Sequence, residues 1–555
     1  MSRSAAQPLE WPVRLSSVAS IDQPLDAGGP WIVALNQVPK ARVSADVAAV
    51  LRTVDGTLLP GQVAAALGSQ WTAEDVENVV GRLAHTGIFD AGPHRAEVRR
   101  VQFRAPLTVQ LTLFNPAPLL QALRPALAVL VRRETAAALA IVLVAGLLGL
   151  VTASEDIVRV LSTPLPMEAY VFVVAAMFAS TLLHELGHGM ALTYFGGTPR
   201  RIGIMLFYLS PAFFCDVTDG WRLGSRKQRV VIALAGPVVH AALGSLALAT
   251  HLFLPASPLG DAVLLYGVIC FAVAVLNLFP FIKLDGYVAL MSWLDVPHLR
   301  RKALDALAGV VGYWLLGAPR SNHHQGWLPW FGLAGFVSGA AFTLVGFQRL
   351  VPVFLQLGLV GHVVVAAGSC LLLAVVLKNV LAFFGSAARQ GSPFWRRAVV
   401  VVAGVLCVAA LLAAVPVRPT TVAGYTYSDG DLRIVMPTVS GTHSISAGDE
   451  VILQTQGMVV NLEVARASVG DQPPSNINAP VETVGPVTFP GALVPVLAYP
   501  GEMHAFASST PASGRAVISG GTSVSLGEWL WNAITGSPLW PGSSVSGTDP
   551  TKGAP

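Results

Sequence analysis

The chain has 555 residues, of which 53% are hydrophobic and only 12% are charged. Because soluble proteins carry about 25% charged residues, this composition indicates a protein embedded in a lipid bilayer. The formal net charge of +4 gives no basis for nucleic-acid binding. The four cysteines include no CxxC pair, so we expect small buried side chains and neither disulfides nor a thiolate zinc site.

Residues 1–134 have the character of a soluble domain. The pattern predicts helices over Val43–Asp55, Gly61–Leu67 and Thr72–Thr86, followed by a strand over Leu107–Phe114. Three short helices followed by strands are typical of a winged-helix-like α+β domain. A small adaptor fold with no ligand of its own is the alternative.

Residues 135–417 form the predicted membrane part, since a helix needs about 20 apolar residues to cross a bilayer. Segments of about that length predict a multi-pass α-helical protein with these spans: Ala136–Ala153, Tyr170–Phe195, Val230–Leu254, Ala262–Ile282, Trp330–Phe347, Val360–Phe384 and Ala398–Val415. The shorter apolar segment Ala303–Gly317 follows three basic residues, and we expect it to lie at the membrane interface.

Basic residues cluster on one side of these spans. The loops on the opposite side, such as Ser154–Met167 and Pro255–Asp261, are short and poor in basic residues. Because basic loops stay in the cytoplasm, the N-terminus is predicted to be cytoplasmic and the C-terminus extracytoplasmic. Met1–Ser20 shows no basic start followed by an apolar run, so no cleaved signal peptide is expected.

Residues 418–555 are rich in Gly, Ser, Thr, Val and Pro. Alternating runs such as Leu432–Met436 and Glu450–Thr455 predict a C-terminal all-β domain, which the topology makes extracytoplasmic. The segment after about Pro541 is expected to be disordered.

The segment after Thr181 contains the pattern HExxH, formed by His184, Glu185 and His188. Positions i and i+4 share one face of a helix, so both imidazoles can bind one Zn²⁺ ion. Glu185 is then the general base that takes a proton from water activated by the metal. Incidental histidines are the alternative, but polar residues inside an apolar span cost about 2.5–3.5 kcal/mol when charged and therefore indicate a function.

A catalytic zinc usually has three protein ligands. Asp285, at the cytoplasmic end of the fourth predicted span, is the predicted third ligand, with pairing to Lys283 as the alternative. Pro280 is expected to break the helix and let the chain turn back towards the metal. Asn277 is a predicted catalytic residue that hydrogen-bonds the substrate or the oxyanion, or else a residue that braces its helix.

These motifs resemble the site-2-protease family of intramembrane zinc metalloproteases, peptidase family M50. HELGH at His184–His188 and the N-x-x-P…LDG segment at Asn277–Gly286 carry the resemblance. It implies a metalloendopeptidase with zinc bound by the two histidines and Asp285. The family's Asn-Pro-x-x-Asp-Gly form is stretched here. The segment from Phe195 to Trp221 and Ala235-Gly-Pro237 resemble a bacterial peptide zinc metalloprotease branch, which implies a bacterial plasma membrane. The residues assign no chemistry to Asp216 and Asp219, and His240 inside the third span either faces the site or is solvated by a helix neighbour.

The N-terminal region resembles the PqqD-like element that binds leader peptides of ribosomally made peptides. Residues 42–57 and the helix that ends at Leu83-Ala-His-Thr-Gly-Ile-Phe89 carry this likeness. It implies a leader peptide bound as an added strand and a protease that matures a modified peptide, as in daptide-like pathways. Regulated proteolysis of a membrane-bound signalling protein and a non-enzymatic export or immunity component are the alternatives. The sequence does not predict the oligomeric state.

Overall fold

A computed structural model of the chain describes residues 11–25, 29–35, 38–84, 86–89, 101–104, 108–130, 132–207, 210–319, 326–355, 359–437, 445–506, 511–519 and 523–535. The chain divides into two compact units. Unit 1 comprises Met1–Val151, Val174–Phe253 and Tyr266–Leu299. Unit 2 comprises Thr152–Val173, Leu254–Leu265 and Arg300–Pro555.

Unit 1 begins with a small sheet followed by three helices. These elements are β1 (Ala19–Asp22), β2 (Trp31–Leu35), β3 (Val38–Val43), α1 (Ala45–Thr53), α2 (Pro60–Leu67) and α3 (Ala73–Ala84). The sheet is antiparallel in the order β1–β2–β3, so β3 lies at its edge. Val33, Val50, Leu51 and Val76 are fully buried between the sheet and the helices. This packing defines a small N-terminal module.

The middle of the chain alternates between long helices and short strands. Its elements are β4 (Val101–Arg104), β5 (Thr108–Phe114), α4 (Ala117–Ala122), α5 (Arg124–Leu130), α6 (Arg133–Thr152), α7 (Ser154–Ser162), β6 (Leu165–Pro166), α8 (Met167–Tyr194), β7 (Ile202–Phe207), β8 (Ser210–Cys215), α9 (Arg226–His251), α10 (Pro258–Asn277), α11 (Asp285–Leu294), α12 (Leu299–Leu316), α13 (Leu328–Leu355), α14 (Leu359–Arg389) and α15 (Phe394–Ala414). A 3-10 helix, Thr218–Arg222, lies between β8 and α9.

The order of the strands does not confirm the winged-helix interpretation. The small sheet precedes the three helices, whereas the sequence predicted strands after them. The predicted strand at Leu107–Phe114 is present as β5, but it pairs with β7 in a second sheet of order β4–β5–β7–β8. Strand pairing joins residues far apart in the chain, so local alternation predicts a strand without predicting its partner.

Seven of the described helices are long and apolar enough to cross a bilayer: Arg133–Thr152, Met167–Tyr194, Arg226–His251, Pro258–Asn277, Leu328–Gln348, Val360–Arg389 and Phe394–Ala414. They coincide with the seven predicted spans. α12 is not among them, and the interfacial position predicted for Ala303–Gly317 stays a prediction. The helix α15 has no buried residue, as expected for a helix that contacts lipid, whereas α9 is the most buried of the seven.

The C-terminal part of unit 2 is a β-barrel. Its elements are β9 (Pro416–Val417), β10 (Thr420–Ser428), β11 (Asp431–Pro437), β12 (Glu450–Gln454), β13 (Glu463–Val469), β14 (Ser475–Pro480), β15 (Val487–Thr488), β16 (Leu493–Phe506), β17 (Ser513–Ser519), β18 (Val524–Ser525) and α16 (Leu526–Thr535). The order β11–β10–β17–β12–β13–β16 closes because β11 also pairs with β16, and β14 adds to β16. This confirms the predicted all-β region. The tail after Pro541 lies outside the described residues.

Candidate metal centre

The two histidines of the HExxH pattern lie on one face of α8. His184 and His188 are only 5% and 6% exposed, and their Nε2 atoms are 3.3 Å apart. This is the arrangement expected of residues four apart on a helix. Both rings present the same nitrogen to one point inside unit 1.

Asp285 reaches the same point from α11, of which it is the first residue. Its Oδ2 lies 3.0 Å from Nε2 of His184, and its Oδ1 lies 3.4 Å from Nε2 of His188. The chain leaves α10 at Asn277 and returns over seven residues, and a Cβ at Gly286 would lie 2.1 Å from the carbonyl oxygen of Leu278. Only glycine permits this close approach, which explains why glycine follows Asp285.

The distances between these atoms fit a zinc ion. Ligand atoms about 2.0–2.2 Å from a tetrahedral zinc are roughly 3.4 Å from one another, and the 3.3 Å between the two Nε2 atoms agrees with this value. The carboxylate offers a different oxygen to each histidine, Oδ2 at 3.0 Å from His184 and Oδ1 at 3.4 Å from His188, so either oxygen lies near the same point. Oδ2 of Asp285 is buried and has no hydrogen-bond donor among the described residues. A buried acceptor without a donor is costly in a folded protein but is expected of a metal ligand.

Gly236 of α9 forms the wall opposite the two imidazoles. A Cβ at this position would lie 2.4 Å from Nε2 of His188 and 2.5 Å from Nε2 of His184. The absent side chain therefore leaves space beside the two nitrogens. The structure thus has a cradle whose donor atoms and free space both suit a metal ion.

Each imidazole is also held by its second nitrogen. Nδ1 of His188 lies 2.7 Å from the carbonyl oxygen of Ile232, to which it donates, so that Nε2 carries the free lone pair. Nδ1 of His184 lies 2.8 Å from Nδ1 of His240 on α9. Contacts of this kind orient metal-binding histidines and set their tautomers.

Glu185 lies beside the metal position and is held by the last residue of β8. Its Oε2 accepts a hydrogen bond of 2.7 Å from the backbone N–H of Cys215. Burial raises the pKa of the Cys215 thiol to about 12, and the negative charges of Glu185 and Asp216 add to this effect.

A cavity of about 380 Å³ opens onto Glu185, His188 and Asp285. Its walls come from α8, α9, α11 and the sheet β4–β5–β7–β8, and they are mostly apolar, with Gln110 and Arg201 among the polar side chains. The volume is in the range of sites that bind small parts of a substrate. The HExxH glutamate and two of the three candidate metal ligands, His188 and Asp285, thus face one common space.

Asp216, which lines this cavity, and Asp219 are two carboxylates to which the sequence assigned no chemistry. Asp216 accepts hydrogen bonds from Thr218 and Arg201, and these outweigh the effect of burial and keep the pKa of Asp216 below its usual value. Asp219 is 4% exposed and pairs with Arg222 at 3.0 Å. Both carboxylates are therefore occupied by structural partners.

The amide of Asn277 lies within α10. Its Nδ2 donates a hydrogen bond of 2.9 Å to the carbonyl oxygen of Val273, one turn earlier in the same helix. Asn277 does not appear among the residues that line the cavity. This arrangement corresponds to the helix-bracing alternative, and the substrate contact predicted for Asn277 stays a prediction.

Two features of the site were not predicted from the sequence: the space left by Gly236 and the carbonyl of Ile232. The sequence left open whether His240 faces the site, and in the structure it contacts His184. A histidine and a Gly-Pro pair inside an apolar span were the available signals. These residues did not predict which side of α9 faces α8, because the rotation of one helix relative to the other depends on tertiary packing.

The chain is similar to several bacterial proteins. It is 28% identical over 134 residues to "Putative peptide zinc metalloprotease protein YydH" of Bacillus subtilis (strain 168), covering 24% of this chain and 51% of the relative. It is 33% identical over 153 residues to "Putative zinc metalloprotease sll0528" of Synechocystis, covering 26% and 38%. It is 33% identical over 167 residues to "Putative zinc metalloprotease Rip2" of Mycobacterium tuberculosis, covering 25% and 61%.

The chain thus spans between about two fifths and three fifths of the length of these relatives. No protein-family model matches the chain, and no solved structure matches it. These relatives are named as zinc metalloproteases, and the described part of this chain has seven helices long and apolar enough to cross a membrane and a group of three residues that could hold a metal ion.

Proposed function

We propose that the chain is a membrane-embedded zinc metalloendopeptidase of the site-2-protease type that cuts the leader from a ribosomally made, modified peptide. The observation that carries the hydrolytic part is the convergence of His184, His188 and Asp285, together with a cavity lined by Glu185, His188 and Asp285. A purely structural zinc site needs ligands but no base beside an open space. The non-enzymatic alternative is therefore disfavoured.

The catalytic work of the protein side chains follows from this arrangement. When bound, zinc supplies Lewis-acid activation of water and of the scissile carbonyl. Glu185 takes the proton from the attacking water and passes it to the leaving amine. The hydrogen bond from the N–H of Cys215 holds one carboxylate oxygen, Oε2, in place. The largely apolar cavity holds the substrate residue next to the cut bond and limits access of bulk water.

The N-terminal module is proposed to capture the leader peptide. Its strand β3 is at an edge of the described sheet, and an extended peptide can add to such an edge through backbone hydrogen bonds. The relative YydH is described by its name as a peptide metalloprotease, which agrees with a peptide substrate.

A direct contact links this module to the helix that begins with Asp285. Arg42 of β3 donates a hydrogen bond of 2.8 Å to Asp295, which caps the C-terminal end of α11. Arg229 donates to the same oxygen at 2.7 Å, and the guanidinium of Arg42 lies 4.8 Å from the ring centre of Trp221. A peptide held along β3 is therefore attached to the part of unit 1 that carries the third proposed ligand.

We further propose a bacterial plasma membrane with the N-terminus cytoplasmic and the C-terminal barrel extracytoplasmic, on the basis of the basic loops. In this orientation a precursor made in the cytoplasm reaches the N-terminal module directly. Reporter fusions at each end test this orientation, since cytoplasmic and exported reporters differ in activity.

The substrate is tested by comparing cells that produce the wild type with cells that produce Glu185→Gln. We expect the variant to bind zinc and to accumulate a short precursor peptide with its leader attached, detected by mass spectrometry of the peptide fraction. Accumulation of an uncut membrane protein would favour regulated proteolysis instead. Unchanged products in cells with the Gln variant would contradict the protease assignment.

A further inference from the structure

His240 is a buried histidine on the membrane helix α9, and the proposed reaction does not use its side chain. It is 1% exposed, and its ring centre lies 4.8 Å from that of His184. The Nδ1 atoms of the two rings are 2.8 Å apart, which is a hydrogen-bond distance. Placing a charged or polar side chain inside a bilayer costs free energy, so its presence there indicates a function.

The contact between His184 and His240 determines which nitrogen of each ring carries the proton. If Nε2 of His184 offers its lone pair to zinc, the neutral ring carries its proton on Nδ1. That proton can only be donated to Nδ1 of His240, which must then accept with its own lone pair. His240 is therefore the neutral tautomer with its proton on Nε2.

We propose that His240 is a positioning residue for the zinc ligand His184. By accepting the Nδ1 proton, it fixes the tautomer and the ring orientation that aim Nε2 at the metal. This inference rests on the zinc site proposed above. His188 receives the equivalent support from the carbonyl of Ile232, so the two ligands are oriented by different means.

Two observations distinguish the positioning role of His240 from simple packing and from direct binding of zinc. Nε2 of His240 is buried and has no hydrogen-bond partner among the described residues, so the side chain carries an unpaired donor that an apolar residue would avoid. The atoms of His184, His188 and Asp285 that converge on the metal position do not include any of His240. His240 therefore acts through His184 and is not a fourth ligand.

The test compares His240→Asn with His240→Leu in detergent-purified full-length protein. Oδ1 of asparagine occupies about the place of Nδ1 and can accept the same proton, whereas leucine cannot. Zinc retention is measured by titration with a chelator and elemental analysis. We expect His240→Leu to bind zinc about 10–100-fold more weakly, and His240→Asn to stay close to the wild type.

His251→Leu is the matched control, since it removes a histidine near the end of the same helix, α9. Thermal unfolding of the zinc-free proteins checks that each variant is folded. We expect His240→Leu to be folded and to contain less zinc than the wild type. Wild-type zinc retention in folded His240→Leu overturns the proposal, as does loss of zinc from folded His240→Asn. A wild type that binds no zinc would instead refute the proposed function.

Discussion

Gly236 provides the sharpest test of the metal centre, because replacing it with alanine adds one methyl group and no charge. The added Cβ would lie 2.4 Å from Nε2 of His188 and 2.5 Å from Nε2 of His184. Real Cβ atoms essentially never come within 3.0 Å of another heavy atom, so each imidazole must move by about half an ångström. Metal sites keep ligand distances to within about 0.2 Å, and this displacement exceeds that tolerance.

We therefore expect Gly236→Ala to fold but to bind zinc at least about 100-fold more weakly. This loss of affinity is at or above the upper end of the range of about 10–100-fold that follows mutation of residues that hydrogen-bond metal ligands. Alanine is the better helix former, so helix propensity opposes unfolding. Zinc content is measured by elemental analysis after equilibration with a chelator of known affinity.

Gly404→Ala is the matched control for this variant. Gly404 lies on the membrane helix α15, and a Cβ there meets nothing within 4 Å. The control is expected to keep about one zinc per chain. Wild-type zinc affinity in folded Gly236→Ala would refute the reasoning, because the cradle would then not be where the ion binds.

Three further predictions follow from individual contacts. Asp285→Asn keeps the size of the side chain but removes its charge, and we expect clearly less zinc per chain by elemental analysis; undiminished zinc would contradict its role as a ligand. Glu185→Gln should keep about one zinc per chain and lose peptide cleavage, and a fully active, zinc-loaded variant would remove the proposed base. For Asp295, partial burial raises the pKa but the hydrogen bond and charge of Arg42 and the charges of Arg229 and Arg226 lower it more. The ion pair is thus intact above the ordinary pKa of aspartate and is lost as the pH falls through the lowered value. We expect the amide hydrogen-exchange rates of the N-terminal module to increase in that acidic range. In Asp295→Asn the increase should already be present at neutral pH. Equal exchange rates in the variant and the wild type at neutral pH would contradict a stabilising contact between Arg42 and Asp295.

The histidine pair illustrates what local sequence can predict. His184 and His188 meet because a helix repeats every 3.6 residues, so their common face needs no knowledge of the rest of the fold. The seven spans are predictable for a similar reason, since bilayer thickness alone sets the required apolar length. The barrel strands also follow from local alternation, although their closure through β11 and β16 does not.

Asp285 is an intermediate case. The end of an apolar helix followed by Pro280 and an Asp-Gly pair predicts a turn and a carboxylate near a membrane face. The 3.0 Å approach to His184 depends on how α10 and α11 pack, and on the absence of a side chain at Gly286. Sequence therefore indicates the residue type, and packing determines the distance.

The sequence alone predicted the metal-ligand pattern, the candidate catalytic carboxylate and the membrane character, because these depend on residue types at short spacings and on apolar length. Only the tertiary structure decided that Gly236 leaves space beside the imidazoles, that His240 faces His184, and that β5 joins β7 and not the N-terminal sheet. These contacts join distant parts of the chain, and their free energy comes from the packing of whole helices and strands. Periodicity within one segment carries no information about the partner that it packs against.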